Sequence, residues 1–260
     1  MASNPGLGMP APQLEVGDHV LGACRFGSYT TCLNVPAQQA GYCVLVHSAA
    51  GGCGLNALAI CLAVGAVPIG TVGNQDKVQI ILDRFPALDA QQIIVRDISC
   101  YPQQLRSALS SVSRDGFDIV LDAISGEYFQ PSYQAMTQGG RHVTYGDKPG
   151  WLRLAWQYLR RPTLDPTSMI GDNKSVMAFN LIWMFDKAAE LAKLAKELQE
   201  MELPAPHVGE VFDFDDAPSA LRRLQTGRTV GIHNRPGRHP DMLMHWTCMS
   251  ALAAFAGSIC

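Results

Sequence analysis

At 260 residues, 47% hydrophobic and 17% charged, the chain is long and apolar enough to bury a sizeable core, which excludes an intrinsically disordered protein. A formal net charge of −3, with basic residues scattered along the chain, excludes a general affinity for nucleic acid or acidic membranes. Eight cysteines without a CxxC pair, and an N-terminal stretch lacking a basic head and apolar run, predict a reducing, cytoplasmic setting.

Residues 1–13, rich in Pro, Gly and Ala, read as a leader. Short apolar pieces cut by Gly17, Gly22, Gly27 and Pro36 predict small antiparallel strands over 15–39. From Gly41 the texture changes. Residues 42–48 read as a buried strand and Leu55–Val64 as an apolar helix, followed by a strand over 66–73 and a helix over 77–85. The alternation continues with a strand at 92–95, a helix at 102–113, a strand at 117–124, a helix around Pro131 over 127–136, and a strand at 139–146. Such alternation implies parallel pairing through right-handed crossovers, hence an α/β fold with a doubly wound sheet. Beyond it, 151–161 and 174–185 are aromatic-rich and read as helices. Residues 185–201 read as an amphipathic helix with Ala188, Leu191, Leu194, Ala195, Leu198 and Met201 on one face. Residues 207–224 suggest a strand and a capped helix, and periodicity is lost from Asn234.

Between the first strand and the first helix, Ala49-Ala50-Gly51-Gly52-Cys53-Gly54 matches G-x-G-x-x-G with alanine in first place. Gly51 would let a pyrophosphate approach the backbone, Gly54 would let the helix pack closely on the strand, and the helix N-terminus would favour the phosphates. The same turn could need its glycines for packing alone. The second strand ends Thr71-Val72-Gly73-Asn74, with no carboxylate before Asp76 to hold a ribose 2′-hydroxyl, and Lys77 follows. A small residue beside a lysine suits a 2′-phosphate and favours NADPH; against this stand ribose binding by Asp76 and a merely solvated Lys77.

Other chemistries fit less well. No Gly-Lys-Ser/Thr follows the glycines, no Tyr-x-x-x-Lys occurs at Tyr133 or Tyr145, and no serine elbow is present. Cys24 and Cys32 lack partners at ligand spacing, and His233, His239, His245 and Cys248 lie in a stretch without periodicity, so no metal site is expected. Trp151–Arg161 suits a surface helix beside a substrate cleft, or an interfacial helix giving weak membrane or vesicle association.

Taken in order, "VGDHVLGACRFGSYTTCLNVPAQQ", "VLVHSAAGGCG", "FDIVLDAISG", "GGRHVTYG" and "HVGEVFDFDDAPSALRRLQTGRTVG" resemble the zinc-independent medium-chain dehydrogenases/reductases, in particular their NADPH quinone oxidoreductase branch, with the vesicle amine transport protein homologues. The resemblance covers roughly 14–232. It implies a Rossmann doubly wound parallel sheet with shortened GroES-like catalytic-domain remnants. The expected divisions are a leader and GroES-like remnant at 1–40, a Rossmann domain at 41–202, a returning catalytic segment at 203–233 and an atypical tail at 234–260. It also implies hydride transfer from NADPH to a quinone or an α,β-unsaturated carbonyl. Carried over by position, Ala50, Gly51, Gly52, Cys53 and Gly54 contact the pyrophosphate, and Gly73, Asn74 and Lys77 lie near the adenosine ribose phosphate. Ala123, Ile124, Tyr145 and Gly146 line the nicotinamide side.

The chain departs from the family pattern in four places. About a dozen residues precede "VGDHV", the pieces on either side of Ala40 nearly abut, Arg96 replaces a common tyrosine, and Gly231 is followed by Ile232-His233-Asn234. The segments that would orient substrate are short, so no catalytic residue is assigned. The alternative function is a non-catalytic NADPH-binding redox sensor or vesicle-associated partner protein. Relatives often dimerise through the sheet edge, so the resemblance leaves a homodimer open beside a monomer.

Overall fold

The computed structural model describes residues 41–145 and 164–178, with discontinuous stretches between 196 and 234. The expected 1–40 remnant, the helix at 151–161, Gly146 and the tail beyond Asn234 lie outside the described residues. The chain alternates β1 (Cys43–Val46), α1 (Gly52–Ala63), β2 (Val67–Val72), α2 (Asp76–Arg84), β3 (Ile93–Val95), α3 (Tyr101–Ser111), β4 (Phe117–Asp122), α4 (Phe129–Gln134) and β5 (Met136–Thr144). Then come α5 (Pro166–Asp172), β6 (Ser175–Ala178), β7 (Val208–Val211) and β8 (Ile232–Asn234). The first six strands form one parallel sheet in the order β3-β2-β1-β4-β5-β6. That is the doubly wound order, with its reversal between β1 and β4.

Alternation along each strand divides the core into two layers. In β1, Val44 and Val46 face one layer with Leu55, Leu58 and Ile60 of α1, while Cys43 and Leu45 face the other with Tyr101, Leu105 and Phe129. β1, β2 and β4 are buried on both faces, which is why they read as continuous apolar runs. Gly54 is where α1 comes nearest the chain leaving β1: a Cβ there would lie 2.3 Å from the Ser48 carbonyl oxygen.

One expectation needs correction. Residues 174–185 were expected to be helical, but Ser175–Ala178 form β6, in parallel register with Arg141–Thr144 of β5. The exposed donors and acceptors of the β5 edge outweigh a weak local helical signal over four residues. Ile232–Asn234, where the residue pattern departs from the family's, form β8, parallel to β7. Of the amphipathic stretch at 185–201, residues 185–195 lie outside the described residues; Leu198 is buried and Met201 packs on the α1 layer.

Candidate functional site

Because all six strands run parallel, their C-terminal ends share one edge, and the sequence-marked residues gather there. Ala50 is buried and Gly51 is the extended N-cap of α1, at φ −77°. Gly52, Cys53 and Gly54 form the first turn, which has neither a side-chain cap nor an acidic residue. That leaves the positive end of the helix without an internal counter-charge. The loop is pinned from three sides. Gly51 N–H donates to the Ser48 carbonyl (2.8 Å), Ala49 N–H to Thr71 (2.9 Å), and Gly231 N–H to Ala50 (2.8 Å). The last contact brings in a residue far along the chain.

Gly73 and Asn74 follow β2, and Lys77 lies in the first turn of α2. A cavity of about 470 Å³ opens here, lined by Asn74, Asp76, Lys77, Ile80, Arg223 and Val230. Lys77 Nζ donates to the Gly227 carbonyl at 2.7 Å. Arg96, at the end of β3, hydrogen-bonds Thr71 Oγ1 at 3.0 Å, and a Cβ on Gly73 would meet its guanidinium at 3.4 Å. Burial lowers the Lys77 ammonium pKa, and the neighbouring Arg96 charge lowers it further; burial lowers that of Arg96 too. A partly buried ammonium that also feels a neighbouring guanidinium favours an anion beside it. The Asn74 Oδ1 atom is buried without a partner, a polar group that a ribose hydroxyl would satisfy.

On the other side of β1, Ala123 and Ile124 leave β4 and Tyr145 leaves β5, its N–H donating to the Asp122 carbonyl at 3.0 Å. Burial pushes the Tyr145 phenol pKa upward, so it stays protonated.

Beneath this edge lies a polar cluster that sequence reading missed. Alternation points His47, Asp122 and His142 into the α3–α4 layer, and all three are fully buried. His47 Nδ1 lies 2.9 Å from Asp122 Oδ1, and His142 Nε2 lies 2.9 Å from Asp122 Oδ2. A carboxylate only accepts, so each of these ring nitrogens carries its proton toward Asp122. His47 Nε2 is then the acceptor for Tyr101 Oη at 3.1 Å. Burial alone would raise the Asp122 pKa, but His47 and the hydrogen bond from His142 outweigh it and hold the carboxyl well below the usual range. The available signal was an aspartate and a histidine ending strongly apolar strands.

Ser132 Oγ also lies 3.1 Å from His47 Nε2, giving the connectivity of a nucleophile–base–acid relay. Ser132 is fully buried and its single proton goes to the Tyr128 carbonyl at 2.7 Å, so no substrate reaches it. The cluster is structural polar wiring and not a hydrolase site.

The His47 imidazole is driven toward neutrality by burial, against the pull of Asp122. The unfolded chain, with an ordinary histidine pKa, binds the extra proton, so this contribution to stability is present above about pH 6.5 and lost as pH falls. Lowering the pH from 7.5 to 5.5 should therefore destabilise the fold, read as a lower denaturant midpoint. The drop should shrink in His47→Gln; an equal drop in both proteins would place its origin elsewhere.

Among the described residues, no three His, Cys, Asp or Glu side chains gather as metal ligands, and no helix is long and apolar enough to cross a membrane.

Comparison with known proteins adds the following. The family described as zinc-binding dehydrogenase matches residues 88–231, more than half of the chain. A highly reducing polyketide synthase of Talaromyces stipitatus is 27% identical over 210 residues, covering 78% of this chain and 8% of that protein. The chain thus spans under a tenth of the length of such relatives. Among solved structures, the Thermus thermophilus quinone oxidoreductase, also determined in complex with NADPH, is 25% identical with a TM-score of 0.54, covering 74% of this chain and 56% of that one. The CurK enoyl reductase is 22% identical with a TM-score of 0.56, covering 77% and 56%.

Proposed function

From its place in the zinc-binding dehydrogenase family of medium-chain dehydrogenases/reductases, to which this chain belongs, we propose that the protein is an NADPH-dependent oxidoreductase acting on a quinone or an α,β-unsaturated carbonyl. One observation carries the cofactor reading: an uncapped glycine loop at the sheet's switch point lies beside a Gly73 flanked by Lys77 and Arg96. Ala50 to Gly54 would hold the pyrophosphate, with α1 supplying helix-end N–H groups. Gly73, Asn74 and Lys77, joined by Arg96, would hold the adenosine ribose and its 2′-phosphate. Ala123, Ile124, Tyr145 and Gly146 would line the nicotinamide. NADPH, when bound, supplies the hydride. The protein's part is then to position the acceptor and exclude water, so no side chain is named as catalytic.

The substrate class is supported by the quinone oxidoreductase and enoyl reductase similarities. The zinc-independent reading rests on the isolated Cys24 and Cys32. Reductase activity on a soluble small molecule also fits a homodimer without nucleic-acid partners. A second reading, a non-catalytic NADPH-binding sensor or vesicle-associated partner, is favoured by the burial of His47, Asp122 and His142, which leaves these acid–base groups out of reach of substrate.

A fluorescence titration with NADPH and NADH, followed by turnover with a quinone and an enone, tests both. Saturable binding that favours NADPH, with turnover above a Gly51→Val control, supports the enzyme. Binding without turnover supports the sensor, and no binding by a folded protein refutes the cofactor reading. Gly73→Asp should place a carboxylate against Arg96 and where the 2′-phosphate would sit. Its preference for NADPH over NADH should fall about tenfold, roughly 1.4 kcal/mol. An unchanged ratio would contradict the 2′-phosphate assignment.

A further inference from the structure

The buried cluster reaches the proposed cofactor edge through one turn. Asp122 Oδ1, which already faces His47, also accepts the N–H groups of Ile124 at 2.9 Å and Ser125 at 2.8 Å. Ser125 is held at φ 50° and ψ −148°, a backbone region that glycine enters freely and serine enters only under constraint. The carboxylate that imposes this conformation is itself immobilised. His47 ties it to β1 and His142 ties it to β5, while Tyr101 fixes His47 from α3. Strain kept in place by groups from four elements marks a turn whose shape matters.

The position of the turn says for what. It leaves β4 at the switch point, on the opposite side of β1 from Gly73, Asn74 and Lys77. A dinucleotide lying across that crevice with its adenosine half over β2 has its other half over β4. Building on the NADPH reading above, we propose that Asp122 is a positioning residue for the nicotinamide half. By holding the Ala123–Ser125 turn in its strained shape, it sets the surface on which that half of the cofactor rests, without touching it.

The chemistry separates geometry from charge. An asparagine keeps an oxygen for the two turn N–H groups, and His142 can move its proton to Nδ1, which has no partner and so loses no bond. Alanine leaves the turn unheld. Wild type, Asp122→Asn and Asp122→Ala are titrated with NADPH and with adenosine 2′,5′-bisphosphate, the adenosine half alone. Asp122→Ala should weaken NADPH about tenfold or more and leave the bisphosphate within about twofold, while Asp122→Asn stays near wild type on both.

Equal losses on the two ligands, or no loss on NADPH, overturn the proposal, as does an asparagine variant as impaired as alanine. Where Asp122→Ala does not fold, Asp122→Glu keeps the charge but displaces the oxygen from the turn, and the same selective loss is expected. A folded wild type that binds neither ligand refutes the cofactor reading and this inference with it. One that binds both, with variants unchanged, refutes only the inference.

Discussion

Gly54→Ala should unfold or severely destabilise the protein, with a loss of about 3 kcal/mol or more in the denaturant midpoint. The new Cβ would lie 2.3 Å from the Ser48 carbonyl oxygen, 2.6 Å from Ala49 Cα and 2.8 Å from the Ala49 carbonyl carbon. All three are backbone atoms of the tight loop between β1 and α1, so no rotamer change relieves the clash. The helix must back away from the sheet, and α1 is buried along most of its length, so the retreat opens the larger core layer. Gly51→Ala provides the contrast. Its Cβ meets only the Ser48 oxygen, at 3.2 Å, and its φ of −77° suits any residue, so stability should change by under about 1 kcal/mol. On the proposed cofactor reading, the effect of substituting Gly51 should fall on the nucleotide and that of Gly54 on the fold. Similar midpoints for the two variants would contradict this division.

Gly231→Ala should release the returning segment from the glycine loop. Gly231 sits at φ +67°, where a side chain is strained, and a Cβ there would lie 2.2 Å from the His207 carbonyl oxygen. Either displacement breaks the Gly231 N–H bond to Ala50 and the bridge to Gly51. The local cost is about 3 kcal/mol. Amide exchange should rise across Val208–Val211 and Ile232–Asn234 while β1, β2 and β4 stay protected. NADPH binding should weaken as well, because Lys77 is held by Gly227 in the same segment and the cavity beside it includes Val230. Unchanged exchange in β7 and β8 would show that the contact with the loop does not hold the segment in place.

The amino-acid sequence alone determined the alternation of strands and helices from Tyr42 to Thr144, and the glycine turn within it. Those features rest on local pattern. Apolar runs such as "CVLV" and "IVL" make strands covered on both faces, and Gly54 announces a close strand–helix approach. Only the tertiary structure decided what depends on distant partners. Ser175–Ala178 became a strand because the β5 edge offered its hydrogen bonds, and Gly231 acquired its role from the loop at Ala50. The buried cluster is the clearest case. His47 and Asp122 are 75 residues apart, and Asp122 and His142 are 20 apart. Nothing local to any of them predicts a shared carboxylate. A parallel sheet aligns the ends of β1, β4 and β5, and the strand pleat turns all three side chains to one face. From within the sequence each is a lone polar residue in or at the end of a strand, and burial then requires that they satisfy one another.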